Sequence, residues 1–178
     1  MREILWKPSE KFARHSHMYE FMKWVNSEYQ QNFENYHQLW EWSVTEIEDF
    51  WKAVWDYFDV HYKGNYDRIL SDLQMPGQSW FQGTHLNYAA HIFKNSNDAE
   101  PAIIYKCENN KTRSLSWEEM EYRVARLQQY LIDQGVSKGD YVVGYLANTP
   151  HASIAFLATV GLGAIWSCCS PDFGVDSV

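Results

Sequence analysis

At 178 residues with 46% apolar content, the chain can bury a sizeable core, roughly two-thirds of its unfolded surface, in one domain or one and a part. A formal charge of −8 and a pI near 5.3 exclude a nucleic-acid backbone or an anionic membrane as partners held by charge, and the acidic surface reads as solvated. Three cysteines, an odd number, suit a reducing compartment, and Met1-Arg2-Glu3 leads into Trp6-Lys7-Pro8 without the apolar core of a secretory signal, so a cytoplasmic location is expected.

The first ninety or so residues hold seven of the nine tryptophans, at positions 6, 24, 40, 42, 51, 55 and 80. They read as mostly helical. Met18, Phe21, Met22, Val25 and Tyr29 fall on one helical face, with Ser16 as its cap. Ser43 with Glu46 and Thr45 with Glu48 read as overlapping capping boxes for a second helix carrying Ile47, Phe50, Trp51, Val54, Trp55 and Phe58. Such aromatic stripes at helical spacing are core. Turns are expected at Lys63-Gly64-Asn65, Met75-Pro76-Gly77 and Gln82-Gly83-Thr84, then a short helix over about Leu86 to Phe93.

The polar, proline-bearing segment Asn95 to Pro101 is the expected domain boundary, giving regions 1–95 and 96–178. Beyond it, Ala102 to Cys107 and Lys111 to Ser114 predict a hairpin around Glu108-Asn109-Asn110. Ser116 and Glu119 cap the next helix, whose buried face is Met120, Val124, Leu127 and Leu131, and Gly135 with Val136 closes it in a Schellman arrangement. After a turn at Lys138-Gly139-Asp140, Tyr141 to Leu146 predicts one buried strand. Thr149-Pro150 starts an apolar, buried helix to about Leu162, Gly161 and Gly163 break it, and Ile165 to Cys169 is the next strand, with Ser170-Pro171-Asp172 as the loop at its end. The rhythm is of βα type, and the fold class is α/β. The uncharged stretch from Ala152 to Cys169 reads as this buried helix and strand, not as a membrane span, because small and hydroxyl residues weaken it and no Lys or Arg flanks it.

No constellation of chemical groups stands out. His15 and His17 lack the spacing of facing metal ligands. His91 and His151 fall on predicted helices without a nucleophile turn. Cys168 and Cys169 alternate across a strand and read as small buried residues that cannot be bridged. The glycines are scattered at helix ends and turns, so a phosphate-cradling loop ending in lysine is missing from these residues. Loops beyond the carboxyl ends of strands in open α/β sheets are where ligands bind. That places Trp166, Ser167, Ser170, Asp172 and Phe173 at the edge of a ligand cleft, against the simpler reading that Pro171 merely stops the strand.

The segment Gly163-Ala164-Ile165-Trp166-Ser167-Cys168-Cys169-Ser170-Pro171-Asp172-Phe173-Gly174 resembles the acetoacetyl-CoA synthetase (acetoacetate–CoA ligase) family, in the adenylate-forming acyl-activating superfamily. Ile4-Leu5-Trp6-Lys7-Pro8-Ser9, Met75-Pro76-Gly77, Trp80-Phe81, Gly83 and Leu86-Asn87-Tyr88-Ala89 are similar to the same family, in the same order. The resemblance implies an acetyl-CoA-synthetase-type N-terminal cap over 1–95 and a truncated start of an AMP-dependent ligase domain over 96–178. It also implies acetoacetate, ATP, Mg2+ and CoA as the complete enzyme's ligands: acetoacetate and ATP would give an adenylate and pyrophosphate, and CoA would then displace AMP. With no phosphate loop, metal-binding carboxylate or adenylation lysine among these residues, the chain alone is expected to be an inactive fragment, prone to self-association through an unpaired sheet edge. The alternatives are a fragment of another short-chain acyl-CoA synthetase or a non-catalytic interaction module.

Overall fold

The computed structural model describes residues 5–74, 76–108 and 111–177, so the expectations at Ile4, Met75, Asn109-Asn110 and Val178 lie outside the described residues. The chain divides into two compact units, residues 1–60 with 64–84, and residues 61–63 with 85–178.

The first unit is helical: α1 (Glu10–Arg14), α2 (His17–Glu28), α3 (Tyr36–Thr45) and α4 (Ile47–Tyr57). Ser16 caps α2 by accepting from the Tyr19 amide, and Phe21, Met22 and Val25 of its apolar face are buried against Leu39, Trp42 and Ala53. Met18, at the start of that face, stays 49% exposed. The expected capping boxes at Ser43 and Thr45 do not form. Both residues belong to α3, where their hydroxyls donate back to the carbonyls of Trp40 and Glu41, and α4 begins at Glu46 without a side-chain cap. Burial of Leu39 and Trp42 carries α3 through these residues, and the hydroxyls take the i−3 and i−4 bonds open to them inside a helix. The segment after α4 folds back onto it, the Phe81 ring stacking on Trp55 with centroids 4.0 Å apart.

The second unit carries three small sheets. β1 (Tyr62–Lys63) and β2 (His85–Leu86) pair antiparallel, as do β3 (Ile103–Lys106) and β4 (Thr112–Leu115), the expected hairpin. Helix α5 (Tyr88–Lys94) starts at Asn87, whose side chain accepts from the Ala90 amide. Helix α6 (Trp117–Asp133) starts after Ser116 and closes at Gly135 as expected, but without the Glu119 half of the capping box. Ser116 accepts from the Glu119 amide, and past the last turn Val136 donates to the Leu131 carbonyl and Gly135, at φ +87°, to that of Ile132, the paired bonds of a Schellman close. The Glu119 carboxylate does not reach back to the cap; it takes the Arg123 guanidinium at 2.6 Å.

β5 (Tyr141–Tyr145), α7 (Pro150–Gly161) and β6 (Ile165–Cys169) form one βαβ crossover, with β5 and β6 parallel and Tyr141 opposite Ile165. Ile154, Leu157 and Ala158 of α7 join Met120 and Val124 of α6 and Ala89 of α5 in one core. Thr149 precedes α7 with extended backbone but makes no side-chain cap bond. Two expectations are corrected here. β5 is not buried: Tyr141, Val143 and Tyr145 are 78, 65 and 54% exposed. A two-stranded sheet with α7 on one face leaves the other bare, whereas parallel strands read as buried only when both faces are covered. The cysteines are not buried either: Cys168 is exposed, although it lies opposite Gly144 on the face that carries Trp166, and Cys169 is only half-buried; with Cys107 they are the free cysteines among the described residues. No helix of the described residues is long and apolar enough to cross a membrane.

Candidate functional site

The parallel register sorts the candidate residues by face. Val142, Gly144 and Trp166 lie on the more buried face, while Tyr141, Val143, Tyr145, Ile165 and Ser167 lie on the bare one. Trp166 and Ser167 therefore point to opposite sides. The Trp166 indole lies over Gly144, in the volume that a side chain there would need. Ser167, exposed, shares its face with Tyr145.

Past β6 the chain makes a compact turn. The Ser170 hydroxyl donates to Asp172 Oδ2 at 3.1 Å and accepts from the Asp172 amide at 3.3 Å, while the Phe173 amide donates to the Ser170 carbonyl at 3.1 Å. Ser170, Asp172 and Phe173 are thus brought together, with the Phe173 ring 51% exposed. Tyr145, which sequence reasoning missed, joins them. Its hydroxyl lies 3.0 Å from the Pro171 carbonyl and 3.2 Å from that of Phe173. The signal available in the sequence was a tyrosine at the last position of the strand next to the loop. The Leu146 amide adds a 3.4 Å bond to the Cys169 carbonyl.

The turn does not suit phosphate. Residues 165–177 carry Asp172 and Asp176 and no lysine or arginine, so nothing in them offsets a triphosphate's charge. Among the described residues no group of three or more His, Cys, Asp or Glu is placed to hold a metal ion. Three of the histidines are engaged locally: His15 Nδ1 is 2.6 Å from the Lys11 carbonyl, His17 Nδ1 is 3.1 Å from Glu20, and His91 Nδ1 accepts from the His61 amide. A second concave feature, of about 450 Å³, is bordered by Lys63, His85, Glu121, Gln128 and Gly161. It lies by the carboxyl end of α7, at the amino end of the parallel strands, the opposite end from the Ser170 turn.

The Acetyl-coenzyme A synthetase N-terminus family model matches residues 36–92, and the AMP-binding enzyme model matches residues 92–178. The solved structure of acetoacetyl-CoA synthetase from Streptomyces lividans superposes with a TM-score of 0.88 at 38% identity, over 97% of this chain and 27% of that one. Over nearly its whole length the chain is similar to one part of acetoacetyl-CoA synthetases. Acetoacetyl-coenzyme A synthetase of Rhizobium meliloti is 34% identical over 98% of this chain and 27% of that protein, and a malonamoyl-CoA synthetase of Penicillium aethiopicum is 33% identical over 97% and 25%. The chain therefore spans about a quarter of the length of the relatives it matches.

Proposed function

We propose that the chain serves a cytoplasmic acetoacetate–CoA ligase as its helical cap and the opening of its AMP-binding domain, divided near Asn95 to Pro101. In that reading the complete enzyme joins acetoacetate and ATP, with Mg2+, into an adenylate and then transfers the acyl group to CoA. Ser167, Ser170, Asp172 and Phe173, with Trp166 packed behind them, form one edge of the cleft. The observation that carries the reading is the near-complete match of this chain to acetoacetyl-CoA synthetases in sequence and in backbone. The bare face and open edges of the β5–β6 sheet support it, since parallel strands are stable when covered on both faces and flanked by neighbours. The same surface would make the isolated chain self-associate.

A chimaera tests this. The matched portion of the Streptomyces lividans enzyme is replaced by this chain, and ATP–pyrophosphate exchange is followed with acetoacetate, acetate, propionate and malonamate. Acetoacetate-dependent exchange by the chimaera, and none above background by the chain alone, is expected. A folded chimaera inert with every acid overturns the reading. The malonamoyl-CoA synthetase relative favours a second reading, a ligase for another short acid; preference for one of the other three acids would select it.

A further inference from the structure

We propose that Tyr145 is a positioning residue for the ligand cleft, its hydroxyl bracing the Ser170–Gly174 turn against the end of β5. The proposal rests on the cleft reading above.

The turn has its own internal bonds, from Ser170 to Asp172 and Phe173, which fix its local shape but not its position over the sheet. Position requires anchors to another element. Among the described residues, the long Leu146 to Cys169 backbone bond holds the end of β6 just before the turn, and the Tyr145 hydroxyl holds the turn itself, reaching carbonyls 26 and 28 residues further along the chain. One hydroxyl proton is shared between two acceptors, so the phenol lies between the Pro171 and Phe173 carbonyls, aligning both sides of Asp172. Backbone on either side of a residue held in this way leaves that residue little freedom to swing. Tyr145 also projects on the face that carries Ser167, opposite to the face on which Trp166 packs over Gly144. The brace therefore selects where Asp172 and Phe173 are presented: at the carboxyl ends of the strands, held from the more exposed face of the sheet. A group that fixes a binding element in advance lowers the ordering cost of binding without touching the ligand. The ring is 54% exposed, so replacing it by phenylalanine removes the hydroxyl with little loss of packing.

Tyr145→Phe is made in the chain and in the chimaera. Amide hydrogen exchange in the chain is expected to quicken about five- to tenfold at Asp172 and Phe173, with α6 and α7 unaffected and the melting temperature unchanged. In the chimaera the KM of one substrate is expected to rise about three- to tenfold with kcat held. Unchanged exchange at Asp172 and Phe173 overturns the brace, whatever the kinetics. Faster exchange with every KM unchanged, and Asp172→Ala equally silent, overturns the cleft reading beneath it. A lower melting temperature with kcat and KM altered for all substrates shows a structural role only and overturns the proposal.

Discussion

Trp166 occupies the space beside Gly144 in which any larger residue would have to place its side chain. A β-carbon on Gly144 would meet the indole, one ring carbon of which would lie at 2.9 Å, and would come within 3.1 Å of Leu146 Cδ1. The backbone there is not left-handed, so the glycine is required for room and not for conformation. Gly144→Ala is expected to destabilise the second unit by about 1–3 kcal/mol, the usual result of overpacking. Adding Trp166→Ala should give a double variant less damaged than the sum of the singles, by about 1 kcal/mol or more in a urea-denaturation cycle. Additive effects would show that the two residues do not meet.

Two glycines of the first unit separate crowding from conformation. Gly64, at φ +89°, faces the Gly83 carbonyl, whereas Gly77, at φ +120°, has open space where a β-carbon would go. Gly77→Ala carries only the backbone penalty of about 1–2 kcal/mol. Gly64→Ala should cost about 1–3 kcal/mol more, because backbone must move. Tryptophan fluorescence during denaturation, with most tryptophans in this unit, reads the difference; equal losses would refute it.

Helix starts that look alike in sequence should respond differently. Ser116 caps α6 with a bond to the Glu119 amide, and Thr149 makes none to α7. Ser116→Ala is expected to lose about 1 kcal/mol and Thr149→Ala less than half of that, measured by chemical denaturation.

Asp140 sets a pH dependence. Hydrogen bonds from the Ser137 amide at 2.7 Å and the Ser137 hydroxyl at 2.8 Å hold its carboxyl below the ordinary aspartate range. A depressed pKa stabilises the fold above the unfolded value of about 3.9, and that contribution is lost as pH falls through the folded value. Asp140→Asn should therefore flatten the stability decline below about pH 4 and leave no difference in slope near pH 7. Identical acid profiles for the two proteins would count against the bond.

How much was legible follows the reach of each signal. Both ends of α6 were readable because Ser116 and Gly135 act within a few residues of themselves. The βα rhythm of β5, α7 and β6 was readable from apolar length and glycine breaks. Helix α3 was hidden because a serine three residues before a glutamate suits a helix start and a helix interior equally; burial of Leu39 and Trp42, a tertiary event, decides between them. The candidate cleft was legible only as a loop at a strand end. Trp166 and Ser167 adjoin in sequence, and only the sheet register reveals that one packs on Gly144 while the other faces Tyr145. The Tyr145 brace spans 26 residues, and no local pattern announces it.

Asn87 shows how narrow a chemical tolerance such a fold can have. Its side-chain oxygen accepts from the Ala90 amide at the start of α5, while its nitrogen donates to the carbonyls of Val160 and Gly161 at the end of α7, at 3.2 and 3.1 Å. The two halves of one amide join the electropositive start of one helix to the electronegative end of another. Spontaneous deamidation, which turns asparagine into aspartate, would spare the first bond, erase the other two and set a negative charge against carbonyl oxygens. A single slow hydrolysis at this position would thus leave α5 and α7 joined by apolar packing alone without breaking the chain, so the age of a preparation becomes a variable in its stability.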